Sequence, residues 1–132
     1  MRVVHASLVR PRGHDDPDRL LTEWPTLIDV AAAVVDAGVA VTLIQSFARD
    51  AVVERRGVTC HFVREPALPA FSSGLAPHRL AQAAAASRAD VIHVNGLDFP
   101  GHTRAMCAIG IPVLAQDHAS RAGSRRLRRA WA

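Results

Sequence analysis

What most constrains the chain is its rhythm: short runs of valine, isoleucine and leucine alternate with segments of helical spacing or with breaker-rich loops. Residues 3–9 (Val-Val-His-Ala-Ser-Leu-Val) form one such run, and it ends in the breakers of residues 10–18, where a long loop is expected. From Thr26 the spacing changes. Leu27, Ile28, Val30, Ala31, Val34 and Val35 recur as on one side of a helix, with Pro25 suited to its first turn and Gly38 to its C-terminal cap. Residues 39–44 and 57–63 return to strand composition on either side of a charged connector, residues 49–56. Residues 64–76 read as a loop, 77–88 as an alanine-rich helix, and 91–94 as a buried strand stopped by Asn95-Gly96. A helix is expected over 99–109, with Pro100 in its first turn and Gly110 past its end. A last strand is expected over 111–116 and a further helix over the arginine-rich 121–129.

Alternating strands and helices of these lengths imply an α/β fold with a doubly wound, largely parallel sheet covered on both faces, because parallel strands need crossover connections of one hand. With 132 residues, 49% of them hydrophobic, the chain can bury one core and is expected to be a single domain over 1–132. It shows no repeat of solenoid length and no low-complexity tract.

Charge narrows the function classes less than its sign suggests. Sixteen basic residues face twelve acidic ones, and every basic residue is arginine. Arginine raises the isoelectric point without implying nucleic acid, because it stays charged where lysine would titrate. Cys60 and Cys107 lie in apolar surroundings without a CxxC spacing and read as small buried hydrophobes of a reducing compartment. No secretory pattern opens the chain and no apolar run approaches a membrane span, so a cytoplasmic location is expected.

In an open parallel sheet, ligands bind beyond the carboxyl ends of the strands, where strand order reverses. Three polar clusters follow apolar strands: Arg10, Arg12, Gly13 and His14; His93, Asn95 and Gly96; and Gln116, Asp117, His118 and Ser120. They are expected to converge on one cleft. The segment Ala89-Asp90-Val91-Ile92-His93-Val94-Asn95-Gly96, followed by Pro112-Val113-Leu114-Ala115-Gln116-Asp117-His118, resembles the N-terminal, Rossmann-like domain of family-4 GT-B glycosyltransferases. The resemblance covers most of the chain. It implies that residues 91–94 lie beside the first strand, that His118 is the catalytic histidine contacting the donor sugar, and that Asn95 and Gly96, with Asp117, bind substrate on the acceptor side. It further implies a retaining hexosyltransferase in which a second, absent C-terminal domain holds the nucleotide sugar. That donor is a co-substrate, no bound cofactor or catalytic metal is needed, and the isolated chain would be inactive. The chain is then expected to be incomplete at its C-terminus.

Several features depart from the family or compete with it. Relatives carry a glycine pair after the first strand, whereas here the loop has Gly13 alone. Arg12 can substitute through charge at a donor phosphate, or residues 10–18 can be a solvated turn. No GxGxxG, GxxxxGK[ST] or GxSxG motif is present, which removes the main support for dinucleotide, P-loop and hydrolase readings. His93 reads as a satisfied structural histidine. Asp98 and His102, at a spacing of four, are weak evidence for a metal site with His118. Arg121, Arg125, Arg126, Arg128 and Arg129 read as a solvated helix surface, with weak contact to an anionic membrane surface as the alternative and no nucleic-acid binding, since only Trp131 accompanies them. The competing functions are a non-catalytic flavodoxin-like or receiver-like binding domain and a subunit pairing with a separately encoded nucleotide-binding half. Lysine is absent and Asp15, Asp16 and Asp18 fall late in the loop, so a receiver site lacks its parts. An uncovered sheet edge would favour self-association.

Overall fold

The computed structural model describes residues 1–65, 78–117 and 125–131. The order is β1 (Arg2–Ser7), α1 (Pro17–Glu23), α2 (Pro25–Asp36), β2 (Ala40–Phe47), β3 (Ala51–Arg55), β4 (Val58–Arg64), α3 (His78–Ala86), β5 (Val91–Asn95), α4 (Pro100–Cys107), β6 (Val113–Gln116) and α5 (Arg125–Trp131). The six-stranded sheet runs β3-β4-β2-β1-β5-β6, and every pairing is parallel except β3 with β4. The chain builds outward from β1 to one side and then crosses to the other, so strand order reverses between β1 and β5. This is the doubly wound, Rossmann-like arrangement expected from the alternation.

The two-residue period of each strand sorts the core into two layers. One face packs Leu43, Phe47, Val58, Cys60 and Phe62 against Leu20 and Leu21 of α1 and Leu27, Ile28, Ala31 and Ala32 of α2. The other packs Val4, Ala6, Ile44, Val63, Ile92 and Val94 against Leu80 and Ala84 of α3 and Met106 of α4. The packed side chains are the periodic apolar residues of the sequence.

Two elements differ from expectation. The stretch between the first strand and the helix expected from Thr26, read as loop, contains α1, which starts where Asp16 accepts a hydrogen bond from the Asp18 N–H through its side chain and Pro17 occupies the first turn. The charged connector contains β3, an edge strand joined to β4 through Arg56 and Gly57, both at positive φ (51° and 74°), the geometry of a tight hairpin turn. Its alternating exposure, with Val52 at 62%, is that of a strand whose charges blunt a sheet edge. The cysteines also divide: Cys60 is buried as expected, while Cys107 is exposed at the end of α4. Burial pushes the Cys60 thiol up to about 11, which keeps it protonated. Among the described residues, no helix is long and apolar enough to cross a membrane.

Candidate functional site

Parallel pairing in register aligns residues across the sheet in rows. Toward the carboxyl end, on the face that α1 and α2 cover farther along, one row reads Cys60, Leu43, His5, His93 and Leu114, and the next reads Phe62, Gln45, Ser7, Asn95 and Gln116. Each row begins apolar under the helices. The second turns polar from β2 onward, and the first is polar at His5 and His93 before Leu114, so imidazole, hydroxyl and amide groups align where strand order reverses, with His5, Ser7 and Gln45 buried.

These groups are joined. The His5 and His93 Nδ1 atoms lie 2.9 Å apart, and His93 Nε2 lies 2.9 Å from Gln116 Oε1. With the Gln116 oxygen facing the ring, His93 donates from Nε2, its Nδ1 accepts, and His5 donates from Nδ1. The chain of hydrogen bonds therefore has a direction, and it links a buried ring on β1 (3% exposed) to an exposed amide on β6. His93 is the partnered, half-buried histidine that its strand position implies. Farther toward β4, Gln45 is fully buried, and its Nε2 donates to the carbonyls of Val9 and Ser46 at 2.6 and 2.8 Å, fixing the start of the loop after β1.

The residues singled out from sequence divide between two places. Asn95 ends β5 half-buried and pairs in register with Gln116. Gly96 continues the ladder by donating its N–H to the Gln116 carbonyl at 2.8 Å, and Asp117 lies exposed immediately after β6. Gly96 then turns the chain at φ +96°, a conformation that favours glycine, with no heavy atom within 4 Å of where a Cβ would stand. Arg12 and Gly13 are exposed in the loop after β1. The hydrogen bonds that tether this loop lead toward β2 and β4: Val9 to Gln45, Arg10 Nη1 to the Glu65 carbonyl at 2.8 Å, and the Asp15 carbonyl to Arg49 Nε at 2.8 Å. The hydrogen bonds of the loop after β1 thus run to the β2–β4 side, and that of Gly96 runs to β6. His118 and Ser120 lie outside the described residues, as does Arg121 of the arginine run.

Beside the tethered loop, Arg10, Ala48, Arg64, Glu65 and Arg79 line a cavity of about 470 Å³ at the carboxyl ends of β2 and β4. Glu65 is 5% exposed, and its Oε1 accepts the Leu80 N–H in the first turn of α3 at 2.8 Å. Asp50 accepts the Arg64 backbone N–H at 2.9 Å and an Arg79 guanidinium N–H at 2.9 Å. Those two bonds, the backbone one first, hold its carboxyl below the usual aspartate range. Asp98 precedes α4 and is not on its surface, whereas His102 is buried within α4 with its ring edge-on to Phe99 at 5.4 Å. Burial lowers the His102 pKa, with Glu65 opposing. Among the described residues no three His, Cys, Asp or Glu side chains gather as a metal would require.

Sequence reasoning missed His5, Ser7 and Gln45 as members of the polar row. The signal available was a polar residue inside an otherwise apolar strand, but only the register shows that these residues become neighbours. On α5, Trp131 Nε1 donates to the Leu97 carbonyl at 2.8 Å, which ties that helix to the loop after β5.

No curated protein matches the sequence. The family model of Glycosyltransferase Family 4 matches residues 26–132, which span most of α2 through α5 and include Gln45, Asn95 and Gln116 of the polar row and Arg64, Glu65 and Arg79 of the cavity, but not Ser7 or Arg10. The chain therefore belongs to glycosyltransferase family 4.

Proposed function

We propose that this chain forms the acceptor side of the cleft in a retaining glycosyltransferase of the hexosyltransferase type, whose nucleotide-sugar donor is held by a second, Rossmann-like domain. The observation that carries this reading is the accessible end of the polar row, Asn95 and Gln116 at the reversal point of the sheet, beside Gly96. Their amides are neutral groups that both donate and accept hydrogen bonds, suited to reading the hydroxyls of an acceptor. A diphosphate instead calls for clustered glycines and backbone N–H groups, and the loop after β1 has Gly13 alone, at φ +73°. On this reading Arg12 and Gly13 flank the donor side of the cleft, and Asn95, Gly96 and Asp117 hold the acceptor.

In the reaction, the bond from the anomeric carbon to the nucleotide's phosphate oxygen breaks, a bond to an acceptor oxygen forms, and the acceptor hydroxyl gives up its proton. Stabilisation of the departing phosphate falls to the donor-binding domain, so the chain alone is expected to be inactive. His118 contacts the donor sugar and stabilises developing charge.

Isothermal titration of the chain with UDP-glucose, GDP-mannose and the free nucleotides, beside a fusion to a family-4 nucleotide-binding half, tests the reading. The expected result is no nucleotide binding by the chain and transfer by the fusion that is lost with His118→Ala. Tight nucleotide binding by the chain alone overturns the assignment of sides.

A further inference from the structure

We propose that the cavity lined by Arg10, Arg64 and Arg79 is an oxyanion subsite that receives a phosphate monoester carried by the acceptor. The inference rests on reading this half as the acceptor side, and it adds the chemical class of the acceptor.

The argument is a count of charges and of donors. Three arginines line a space of about 470 Å³, far more than a phosphate alone occupies and enough for part of the molecule bearing it. Of the acids nearby, Asp50 is engaged by Arg79 at 2.9 Å. Glu65 lines the cavity as well; the residue is 5% exposed and its carboxylate accepts the Leu80 N–H at the start of α3. That leaves Arg10 and Arg64. Arg10 donates from Nη1 to the Glu65 carbonyl, a neutral group, and among the described residues no carboxylate lies within ion-pairing distance of Arg10 or Arg64. Arginine cannot shed its proton, so three permanent positive charges meet two carboxylates here, a net charge of +1, and Arg10 and Arg64 keep N–H groups outside any ion pair, which a phosphate monoester with its several acceptor oxygens matches.

The placement is held from below. Arg10 is fixed by the Glu65 carbonyl, and Arg79 donates to the Arg64 carbonyl at 3.1 Å as well as to Asp50. Gln45 holds Val9, directly before Arg10, by its carbonyl. The cavity lies on the same carboxyl edge as Asn95 and Gln116, across the loop after β1, so an acceptor that reaches both carries its charged end toward β4.

The test uses the full chain and arginine Nε–Hε resonances in ¹⁵N-correlated NMR spectra, titrated with inorganic phosphate, glucose 6-phosphate, glucuronate and glucose at constant ionic strength. Phosphate and glucose 6-phosphate are expected to move the Arg10 and Arg64 signals, glucuronate to move them at higher concentration, and glucose to leave them. Losing one charge-assisted contact through Arg10→Gln or Arg64→Gln should weaken phosphate binding by about tenfold. Arg88→Gln, at the opposite end of the strands, should not. Because the titration of the unaltered chain needs no variant, poor folding of a variant leaves the test standing. Signals that do not respond to phosphate, or a stronger response to glucuronate than to glucose 6-phosphate, overturn the proposal. UDP displacing phosphate from the same arginines assigns the cavity to the donor and overturns it too. Failure of the fusion to transfer sugar, with phosphate still bound at Arg10 and Arg64, counts against the acceptor-side reading alone.

Discussion

At the carboxyl edge of the sheet, the β2–β4 half carries guanidinium groups above a packed aromatic layer, while the β1–β5–β6 half carries imidazoles and amides and thins to a strand that is mostly exposed. Under the first half, Phe47 and Phe62 meet edge-on with ring centroids 5.0 Å apart, beneath α1 and α2. In the second, Leu114 on β6 is 60% exposed, and only Val113 of that strand packs against a core cluster. Fixed charge thus sits where the scaffold is firmest, and groups that can exchange hydrogen-bond roles sit where it is thinnest. Guanidinium recognition of an oxyanion depends on held geometry, whereas recognition of hydroxyls tolerates adjustment.

The contrast breaks most visibly at its supporting ring. Phe47→Ala, at a fully buried position, is expected to cost about 3–5 kcal/mol in urea unfolding, and a cost below about 1 kcal/mol would mean that the β2–β4 half is not the firmer one. Glu65→Ala should cost about 1–3 kcal/mol by leaving the buried Leu80 N–H without its acceptor, and Glu65→Gln should recover most of that. Equal losses in both variants would show that the carboxylate's charge, and not its acceptor oxygen, is what matters.

A smaller effect is expected from pH through His102 in α4. Burial lowers its folded pKa, so the neutral ring contributes stability above the unfolded value of about 6.5, and that contribution is lost as pH falls through the folded value. Between pH of about 7.5 and 5.5 the urea midpoint of the unaltered chain should therefore fall more than that of His102→Gln; parallel slopes would remove His102 as the cause. Smallest of all is Leu114→Ala on β6, expected to change stability by less than about 0.5 kcal/mol. A larger loss would mean that something covers that strand in solution.

How much of this could be read beforehand follows the same division. Helix α2 was legible because Pro25, the apolar spacing and Gly38 agree, and β5 because Val91 to Val94 is bounded by Asp90 and Asn95-Gly96. Helix α1 was hidden by the density of breakers around it, although Asp16-Pro17 is a helix start, and β3 by the charges that an edge strand carries on purpose. The polar row was legible only in part. Asn95 and Gln116 stand out as strand ends, but nothing in the chain says that His5 faces His93, residues 88 positions apart, until the parallel register is known. The Arg10–Arg64–Arg79 cavity was hidden for the same reason, since its members come from three separate segments.

The hydrogen bond between His5 and His93 has one further consequence. Two imidazoles joined nitrogen to nitrogen must take opposite parts, one giving a hydrogen and the other a lone pair, and the orientation of the Gln116 amide is coupled to which does which. Turning that single exposed amide over exchanges its oxygen for its nitrogen, reverses the parts of both rings, and moves the proton on a histidine buried two strands away. A molecule that holds the Gln116 amide in one orientation therefore also favours one of the two proton arrangements of the histidine pair.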